Sequence, residues 1–148
     1  MQPYLAVEKK LNDEFDALLA TYWNAENPEH EPLDMDWPMY NTLADDDRCF
    51  TFTARDGRDN LVGALMYVVT KHPHHKTMTI AACDIICVNP KFRGQGIGSK
   101  LIVYAEPKLI ALGAKQIVHM HKHIYDTQPL TVPLGYEPIE TALRKKVA

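Results

Sequence analysis

The chain has 148 residues, of which 46% are hydrophobic and 24% are charged. A chain of this length folds as one domain, and its composition excludes collagen-like, low-complexity and largely disordered proteins. The net charge is only −3, but residues 1–74 carry 6 basic and 14 acidic side chains, whereas residues 75–148 carry 10 and 5. We therefore expect one domain over residues 1–148, with a site that holds an anion on one side and a cation on the other.

The cysteines and the N-terminus bear on where the protein works. Cys49, Cys83 and Cys87 form an odd number without the spacing of a disulfide framework, so we interpret them as free thiols in a reducing compartment. The first residues lack a basic segment followed by an apolar one, and the longest apolar run, 61–69, is too short to span a bilayer. We expect a cytoplasmic protein that binds no membrane, and the absence of a basic stripe argues against nucleic acid.

The first half of the chain predicts a helix, an irregular stretch and a hairpin. Apolar residues at the helical period predict a helix over residues 3–23. Residues 24–47 contain three prolines, eight acidic residues and no Lys or Arg, which predicts an irregular segment with at most a short helix at 39–43. Residues 49–53 and 61–70 are rich in β-branched and aromatic side chains around a polar turn, which is typical of a hairpin.

The second half begins with a buried strand and an amphipathic helix. Residues 77–88 are apolar at both parities except for Asp84, which predicts a central strand covered on both faces. Residues 101–112 predict a helix that Pro107 should kink, because proline removes a backbone donor.

The remaining residues predict the closing strands of the sheet. Residues 116–124 predict a strand, and residues 136–147 predict one further strand or a hairpin pair. The whole order predicts the α/β class, with a central, mixed and mostly antiparallel sheet flanked by helices.

The most specific motif is the glycine-rich loop that joins the buried strand to the helix. Glycines at positions 94, 96 and 98 allow close approach of the main chain to a ligand, and the following helix directs free N–H groups toward the loop. Such a loop binds anions. A dinucleotide fingerprint would need glycine at position 99, which is Ser99, and a P-loop would need lysine before that serine instead of Lys100 after it.

This loop resembles the signature of the GNAT superfamily of acyl-CoA-dependent N-acyltransferases, which reads Arg or Gln, two residues, Gly, one residue, then Gly or Ala. Arg93, Gly96 and Gly98 match that pattern, and residues 134–136, Leu-Gly-Tyr, are similar to the family's Leu-Gly-Phe. The His-rich turn before Asp84 and the following Val-x-Pro-x-Phe-Arg-Gly segment also resemble small GNAT members of phage and prophage genomes.

The resemblance implies a single-domain GNAT-like fold. It also implies an enzyme that moves an acetyl group from acetyl-CoA to a primary amine by direct transfer. It also implies the cofactor contacts: the strand end would pair with the pantetheine arm and the loop main chain would bind the pyrophosphate, which gives the set Ile86, Cys87, Val88, Arg93, Gly94, Gln95, Gly96, Ile97, Gly98 and Ser99. The alternative that we keep is a non-catalytic acyl-CoA-binding or partner-binding module on the same scaffold.

A base is needed because an ammonium group has no lone pair with which to attack a thioester. Asp84 is the only charged residue of its strand, and we predict that it is the base. By strand alternation it should share a face with Ile86 and Val88. The family often uses a tyrosine to protonate the leaving sulfur, but Thr131 occupies the corresponding position here. We therefore take Tyr125 as the alternative acid, beside simple release of a thiolate that solvent protonates.

Three histidines, His119, His121 and His123, alternate on the predicted strand 116–124 and should point to one side of the sheet. They could share a metal ion, act in acid–base chemistry beside Asp84, or have no role. Our prediction is no metal, with His121 as a catalytic residue.

The acceptor is predicted from the acidic segment at residues 26–47. This segment would attract a cationic amine, with Trp23, Trp37 and Tyr40 packing on an alkyl-ammonium chain; equally, it could be a solvated loop whose aromatic side chains anchor it to the core. The acceptor could be a small molecule or a protein amine, and the last strands could form a homodimer. A covalent path through Cys83 or Cys87 is the less favoured mechanism, since neither has an activating neighbour in the sequence.

Overall fold

The computed structural model describes residues 2–21, 23, 32–121 and 126–147. They form a mixed α/β fold around a five-stranded sheet in the order β1-β2-β3-β4-β5, in which β4 and β5 are parallel and all other neighbours are antiparallel. The strands are β1 Tyr4–Glu8, β2 Cys49–Arg55, β3 Leu61–His72, β4 His75–Val88 and β5 Ala114–Val118. The helices are α1 Asn12–Ala20, α2 Trp37–Asp45, α3 Ile97–Ala111 and α4 Gln128–Thr131. The predicted fold class is confirmed.

The N-terminal segment differs from the prediction of one helix over residues 3–23. Residues Tyr4–Glu8 form an edge strand that pairs antiparallel with β2, and helix α1 begins only at Asn12. Between the two, Lys10 has a left-handed φ of 60°, a conformation that interrupts regular structure. The helical spacing of the apolar residues is real, but pairing with β2 supplies the hydrogen bonds that decide the conformation of the first residues.

The predicted hairpin, buried strand and long helix are confirmed with shifted ends. Helix α3 begins at Ile97 and continues through Pro107 to Ala111. The strand expected over 116–124 is shorter and earlier, since β5 ends at Val118. The strand or hairpin expected over 136–147 is wrong: these residues form no regular element, and Leu143 is 94% exposed, so its apolar side chain finds no face of the sheet to cover.

The sheet is buried on both faces, as the apolar pattern of residues 77–88 predicts. On one face, α3 packs its buried residues against Phe52, Leu65 and Tyr67. On the other face, α1 packs Phe15, Leu18 and Leu19 against the sheet, and α2 adds Trp37 and Tyr40. We call these the α3 face and the α1 face. Within the described ranges, no helix is long and apolar enough to cross a membrane.

An irregularity in β4 determines which way Asp84 points. Met66 pairs with Ile85 and the next residue of β3, Tyr67, pairs with Cys83, so Asp84 is the extra residue of a β-bulge. Beyond the bulge the alternation is reset.

The reset places the neighbours of Asp84 on different faces. Ile86 and Val88 pack with Cys83 on the α3 face, whereas Asp84 reaches Tyr40 on the α1 face. The prediction that Asp84 shares a face with Ile86 and Val88 is therefore wrong, because strict alternation holds only in a strand without a bulge.

Candidate active site

The central strands β4 and β5 separate along their length. They pair from Thr79 and Ala114 to Ala82 and Val118, where the pairing ends, yet β4 continues to Val88. Among the described residues, no strand therefore pairs with the far edge of β4 beyond Ala82. Unpaired peptide groups on a strand edge can bond an extended ligand as a neighbouring strand would.

A pocket of about 250 Å³ lies at the end of this gap, between the end of β4, the glycine-rich loop and α4. Nine of the ten residues predicted to bind the cofactor line it, and Gln95 does not. Three further residues that the sequence motif does not indicate also line it, namely Phe92, Thr127 and Leu130. The full lining is Ile86, Cys87, Val88, Phe92, Arg93, Gly94, Gly96, Ile97, Gly98, Ser99, Thr127 and Leu130.

The loop backbone adopts the conformation for which its glycines are suited. Gly94 and Gly96 have φ values of 80° and 75°, in the left-handed region that side chains disfavour. Gly96 is the N-cap of α3 and offers no side chain to the helix, while its carbonyl accepts the first intrahelical bond from the Lys100 N–H at 3.0 Å. The N–H groups of Ile97, Gly98 and Ser99 therefore have no acceptor within the helix, and at its positive end they are available to bind an anion.

Two side chains brace the loop against the end of β4. Asn89 accepts a hydrogen bond from the Lys91 N–H at 3.0 Å and so caps the short 3-10 turn Pro90–Phe92. The Arg93 side chain turns back and donates from Nε to the Val88 carbonyl at 3.2 Å. The signature arginine thus ties the start of the glycine-rich loop to the strand that precedes it.

The third glycine is needed for packing. A Cβ atom built on Gly98 would lie 3.2 Å from Cδ2 of Leu130, which is tighter than ordinary contact. Leu130 of α4 thereby covers the first turn of α3 and forms one wall of the pocket. A four-residue helix with Pro129 in its first turn supplies this wall, and Pro133 follows in the next turn.

Asp84 is an exposed carboxylate in the middle of a central strand. Its Oδ2 accepts a hydrogen bond of 2.7 Å from Oη of Tyr40 on α2. Among the described residues, this is its only hydrogen-bond partner and no Lys or Arg pairs with it. Since β5 has separated from β4 just before this point, the carboxylate lies beside the start of the gap.

The predicted acceptor wall is only partly described. Phe15, Trp37 and Tyr40 form a row with successive ring centroids 5.6 Å apart, and all three pack into the core of the α1 face. Asp36 of this wall already has a partner, since it accepts from the Met39 N–H at 3.1 Å. Trp37 donates from Nε1 to Asp16, outside the wall on α1, at 3.0 Å. Glu26, Glu29 and Glu31 lie outside the described residues. Trp37 and Tyr40 thus anchor helix α2 to the core of the α1 face.

His119 follows the end of β5 and is turned into the core of the α3 face. Its Nε2 lies 2.7 Å from Oη of the buried Tyr67, and its ring meets Tyr136 edge-on at 4.9 Å between centroids. Burial lowers the pKa of His119 to about 4, so the imidazole is neutral at physiological pH. His119 therefore belongs to a packed polar cluster at the point where the strands separate.

His121 has a different environment from His119, contrary to the expectation that both point to one side of a strand. It is exposed, with Nε2 3.2 Å from Nε2 of Gln128 and 3.8 Å from a carboxylate oxygen of Asp126. The prediction is wrong because the strand ends at Val118, before these histidines. His121 and Asp84 are not in hydrogen-bond contact.

Two predicted residues, Tyr125 and His123, lie outside the described residues. Within the part of the chain that is described, no three His, Cys, Asp or Glu side chains are arranged to hold a metal ion.

At the position where the resemblance would assign a catalytic tyrosine, the chain has a buried threonine. Thr131 donates from Oγ1 to the Thr127 carbonyl at 3.3 Å and completes the turn of α4. Nearby in sequence, Tyr136 has its Oη buried without a hydrogen-bond partner among the described residues, and burial raises its pKa to about 12.

The cysteines are three buried free thiols, as expected. Burial raises the pKa of Cys49 to about 11 and raises that of Cys83 further. A thiol with a raised pKa is a poor nucleophile.

Comparisons with known proteins agree with this geometry. The model of the Acetyltransferase (GNAT) family matches residues 12–128, which is most of the chain. A search of curated proteins gives no significant match.

Three solved structures illustrate the likeness in fold. A ribosomal-protein-alanine N-acetyltransferase from Brucella melitensis biovar Abortus 2308 is 23% identical, with a TM-score of 0.72 over 97% of this chain and 99% of that one. An aminoglycoside acetyltransferase from an uncultured soil metagenomic sample is 19% identical, with a TM-score of 0.75 over 100% of both chains. A predicted acetyltransferase with acetyl-CoA from Clostridium acetobutylicum is 12% identical, with a TM-score of 0.72 over 97% and 96%.

The separated strands, the glycine-rich anion site and the family match lead to one assignment. The chain belongs to the GNAT acetyltransferase family and is an acyl-CoA-dependent N-acyltransferase whose donor is acetyl-CoA.

Proposed function

We propose that the protein transfers the acetyl group of acetyl-CoA directly to the primary amine of a cationic acceptor, with Asp84 as the general base. The observation that carries this proposal is the position of Asp84: an exposed carboxylate, at a bulge of a central strand, beside the start of the gap between β4 and β5. A charge in such a place has no structural partner of opposite sign among the described residues. An incoming ammonium group would supply one.

The donor would be held by main-chain groups. The N–H groups at the start of α3 would bind its pyrophosphate, and the free edge of β4 from Cys83 to Val88 would bond the amides of its pantetheine arm. Lys91 and Lys100 add positive charge near the loop. This arrangement would direct the thioester toward the point where the strands separate, which is where Asp84 lies.

The reaction then needs one proton transfer before bond formation. Asp84 would accept a proton from the acceptor ammonium, directly or through water, and leave a neutral amine. The nitrogen lone pair forms a bond to the thioester carbonyl carbon, the carbon–sulfur bond breaks, and the electron pair leaves on the sulfur of CoA. The amide nitrogen loses its second proton to solvent, and the sulfur gains one.

Two sources are proposed for the proton that the sulfur of CoA gains. Tyr125, our alternative to the missing tyrosine, lies outside the described residues, and solvent protonation remains the other route. A catalytic role for His121 also stays a proposal. Its exposed ring, beside Asp126 and Gln128, is open to solvent and could exchange protons with it.

The acceptor class is inferred from charge and from the neighbours. The acidic excess of the chain lies in residues 1–74, which include helices α1 and α2 of the α1 face. Two structural neighbours are called an aminoglycoside acetyltransferase and a ribosomal-protein-alanine N-acetyltransferase, so amines of both small molecules and proteins are acceptors to test. A cationic small-molecule amine is the acceptor that we favour.

Direct transfer is supported over a covalent path. The pKa of the Cys83 thiol is raised by burial and by the neighbouring Asp84, so little thiolate would be present near neutral pH. Cys87 lines the pocket but is also buried.

We also propose that residues 1–148 form one acetyltransferase domain and that this domain forms a homodimer. The three free thiols support a cytoplasmic location. Within the family, we propose that the protein is related to the small phage and prophage members.

The role of Asp84 can be tested by replacing it with asparagine. With acetyl-CoA and a panel of a polyamine, an aminoglycoside and an alanine-terminated peptide, we expect Asp84→Asn to lower kcat by about 10²- to 10⁴-fold. Glu140→Gln, which removes a negative charge from the exposed tail, should leave kcat unchanged. Equal activity of Asp84→Asn and the parent protein would refute the assignment of the base.

A further inference from the structure

The hydrogen bond between Tyr40 and Asp84 joins helix α2 to the bulge of β4 across 44 residues of sequence. We propose that Tyr40 is a positioning residue, which fixes the orientation of the Asp84 carboxylate and leaves its second oxygen for the acceptor amine. This inference rests on the proposed role of Asp84 as the base.

The bulge gives Asp84 a need for such support. A bulged residue lacks a partner on the adjacent strand, so its side chain is not fixed by cross-strand neighbours. In the described part of the chain, Tyr40 Oη is the one donor that reaches the carboxylate, at 2.7 Å from Oδ2. The other oxygen, Oδ1, accepts no hydrogen bond from the described residues and remains open to a ligand.

Tyr40 is itself held in place. Its ring contacts that of Trp37 in a tilted arrangement, with the centroids 5.6 Å apart. Trp37 is fixed by its contact with Phe15 and by donation from Nε1 to Asp16 on α1. The position of the Tyr40 phenol is thus fixed by helix α2 and by the packing of α2 against α1. A hydroxyl held by a packed ring loses little conformational freedom when it bonds the carboxylate, which is what orientation of a catalytic group requires.

The groups around the pair leave the roles of donor and acceptor unambiguous. Cys49 of β2 lies on the same face as the pair and is a neutral thiol, since burial raises its pKa. Cys83 of β4 lies on the opposite face, and burial raises its pKa as well. Asp36, at the start of α2, adds a negative charge near Tyr40. Burial and the Asp84 carboxylate raise the pKa of Tyr40 above its ordinary value, so the hydroxyl keeps its proton and donates.

The hydrogen bond has one consequence for the reaction, because it selects one orientation of the Asp84 carboxylate. Loss of the hydroxyl should therefore lower turnover, and should not affect binding of acetyl-CoA at the separate glycine-rich loop.

The test compares Tyr40→Phe, which keeps the ring, with Tyr104→Phe as the matched control. Tyr104 lies on α3, where its ring meets Phe52 and Lys108. For Tyr40→Phe we expect kcat to fall about 10- to 100-fold, as for loss of a hydrogen bond to a charged group. KM for acetyl-CoA should stay unchanged. Tyr104→Phe should change none of these quantities.

A double variant separates failure of this inference from failure of the proposed base. If Tyr40 acts through Asp84, then Tyr40→Phe should lower kcat no further when Asp84→Asn is already present. If Asp84→Asn abolishes activity while Tyr40→Phe keeps the parent kcat, the positioning role is refuted and the base stands. If Asp84→Asn is as active as the parent protein, both fail. Thermal unfolding of each variant identifies a loss of activity that is caused by unfolding.

Discussion

Ala82 of β4 and Val118 of β5 form the last pair between these two strands, and β4 extends six residues further, to Val88. This pair marks the apex of the gap. On one side of it lie the unpaired edge of β4 and the glycine-rich loop, which suit an extended phosphorylated donor. At the apex lie Asp84 on the α1 face and His119 on the α3 face.

The loop prediction concerns Gly96, the left-handed N-cap of α3. We expect Gly96→Ala to weaken binding of acetyl-CoA at least 10-fold, because an added Cβ both strains a φ of 75° and obstructs close approach of the anion to the N–H groups. Isothermal titration calorimetry with acetyl-CoA measures the change.

Gly113→Ala is the matched control for strain. Gly113 also has a positive φ, 96°, and like Gly96 it has no atom within 4 Å of an added Cβ, but it lies beyond the other end of α3. A left-handed alanine costs about 1–2 kcal/mol at either position. Equal affinities of the two variants for acetyl-CoA would show that the loop does not bind the donor.

The thiol prediction concerns Cys83 and Cys87. If transfer is direct, Cys83→Ala and Cys87→Ala should each retain kcat within about 3-fold, the residual change reflecting altered packing of a buried site. Intact-mass spectrometry of the parent protein incubated with acetyl-CoA alone should detect no increase of one acetyl group. An acetylated cysteine that disappears on addition of amine would establish the covalent path instead.

The stability prediction concerns Arg55, whose side chain is 8% exposed between two carboxylates. It donates to Glu8 of β1 from Nε and Nη2, both at 2.9 Å, and to Glu14 of α1 at 2.7 Å and 3.0 Å. We expect Arg55→Met to reduce the free energy of unfolding by about 3 kcal/mol, since it leaves partly buried carboxylates unpaired. Urea denaturation at pH 7 gives the value.

Arg58→Met in the same hairpin turn is the control, because Arg58 is exposed and should contribute less than about 0.5 kcal/mol. Arg55 lowers the pKa of Glu8 and of Glu14 in the folded state. Their contribution is therefore present above the ordinary pKa of a glutamate and is lost as the pH falls below it. A loss from Arg55→Met that was the same at pH 7 and at pH 3 would contradict the ion-pair account.

The pH prediction concerns His119, whose pKa is lowered by burial from 6.5 to about 4 in the folded protein. Between these values the unfolded chain binds a proton that the folded chain does not, so stability falls as the pH decreases from 6.5 toward 4. We expect His119→Gln, which keeps an acceptor for Tyr67, to lessen the loss between pH 6.5 and 4.5 by about 2 kcal/mol.

His74→Gln, on the exposed turn between β3 and β4, should leave that pH dependence as it is in the parent protein. Urea denaturation at the two pH values measures all three proteins. A parent protein and a His119→Gln variant with the same pH dependence would show that His119 is not buried as a neutral imidazole.

The conformation of the glycine-rich loop can be predicted from the sequence because its information is local. Arg93, Gly96 and Gly98 lie within six residues, and the strand before them and the helix after them have clear apolar patterns. The buried strand and the hairpin are predicted for the same reason. Nine of the ten predicted cofactor residues consequently line the pocket, whereas Leu130 could be found only through its contact with Gly98.

Features that depend on long-range pairing were not predictable in this way. The strand at Tyr4–Glu8 exists because β2 pairs with it, and the early end of β5 follows from its separation from β4. The bulge at Asp84 depends on the register between β3 and β4 and reverses the face on which the carboxylate lies. The bond from Tyr40 to Asp84 depends on all of these contacts, so the sequence indicated both residues but not their relationship.

Transfer of an acetyl group to an amine can be followed in a single-turnover experiment. Equimolar protein and acetyl-CoA are mixed with an excess of a polyamine, and free thiol and acetylated amine are measured in the same samples. Both products should appear together in a one-to-one ratio, at a rate that Asp84→Asn lowers by about 10²-fold or more. Acetyl-CoA that remains intact with the polyamine, and with the aminoglycoside and the alanine-terminated peptide in turn, would contradict the proposed transfer.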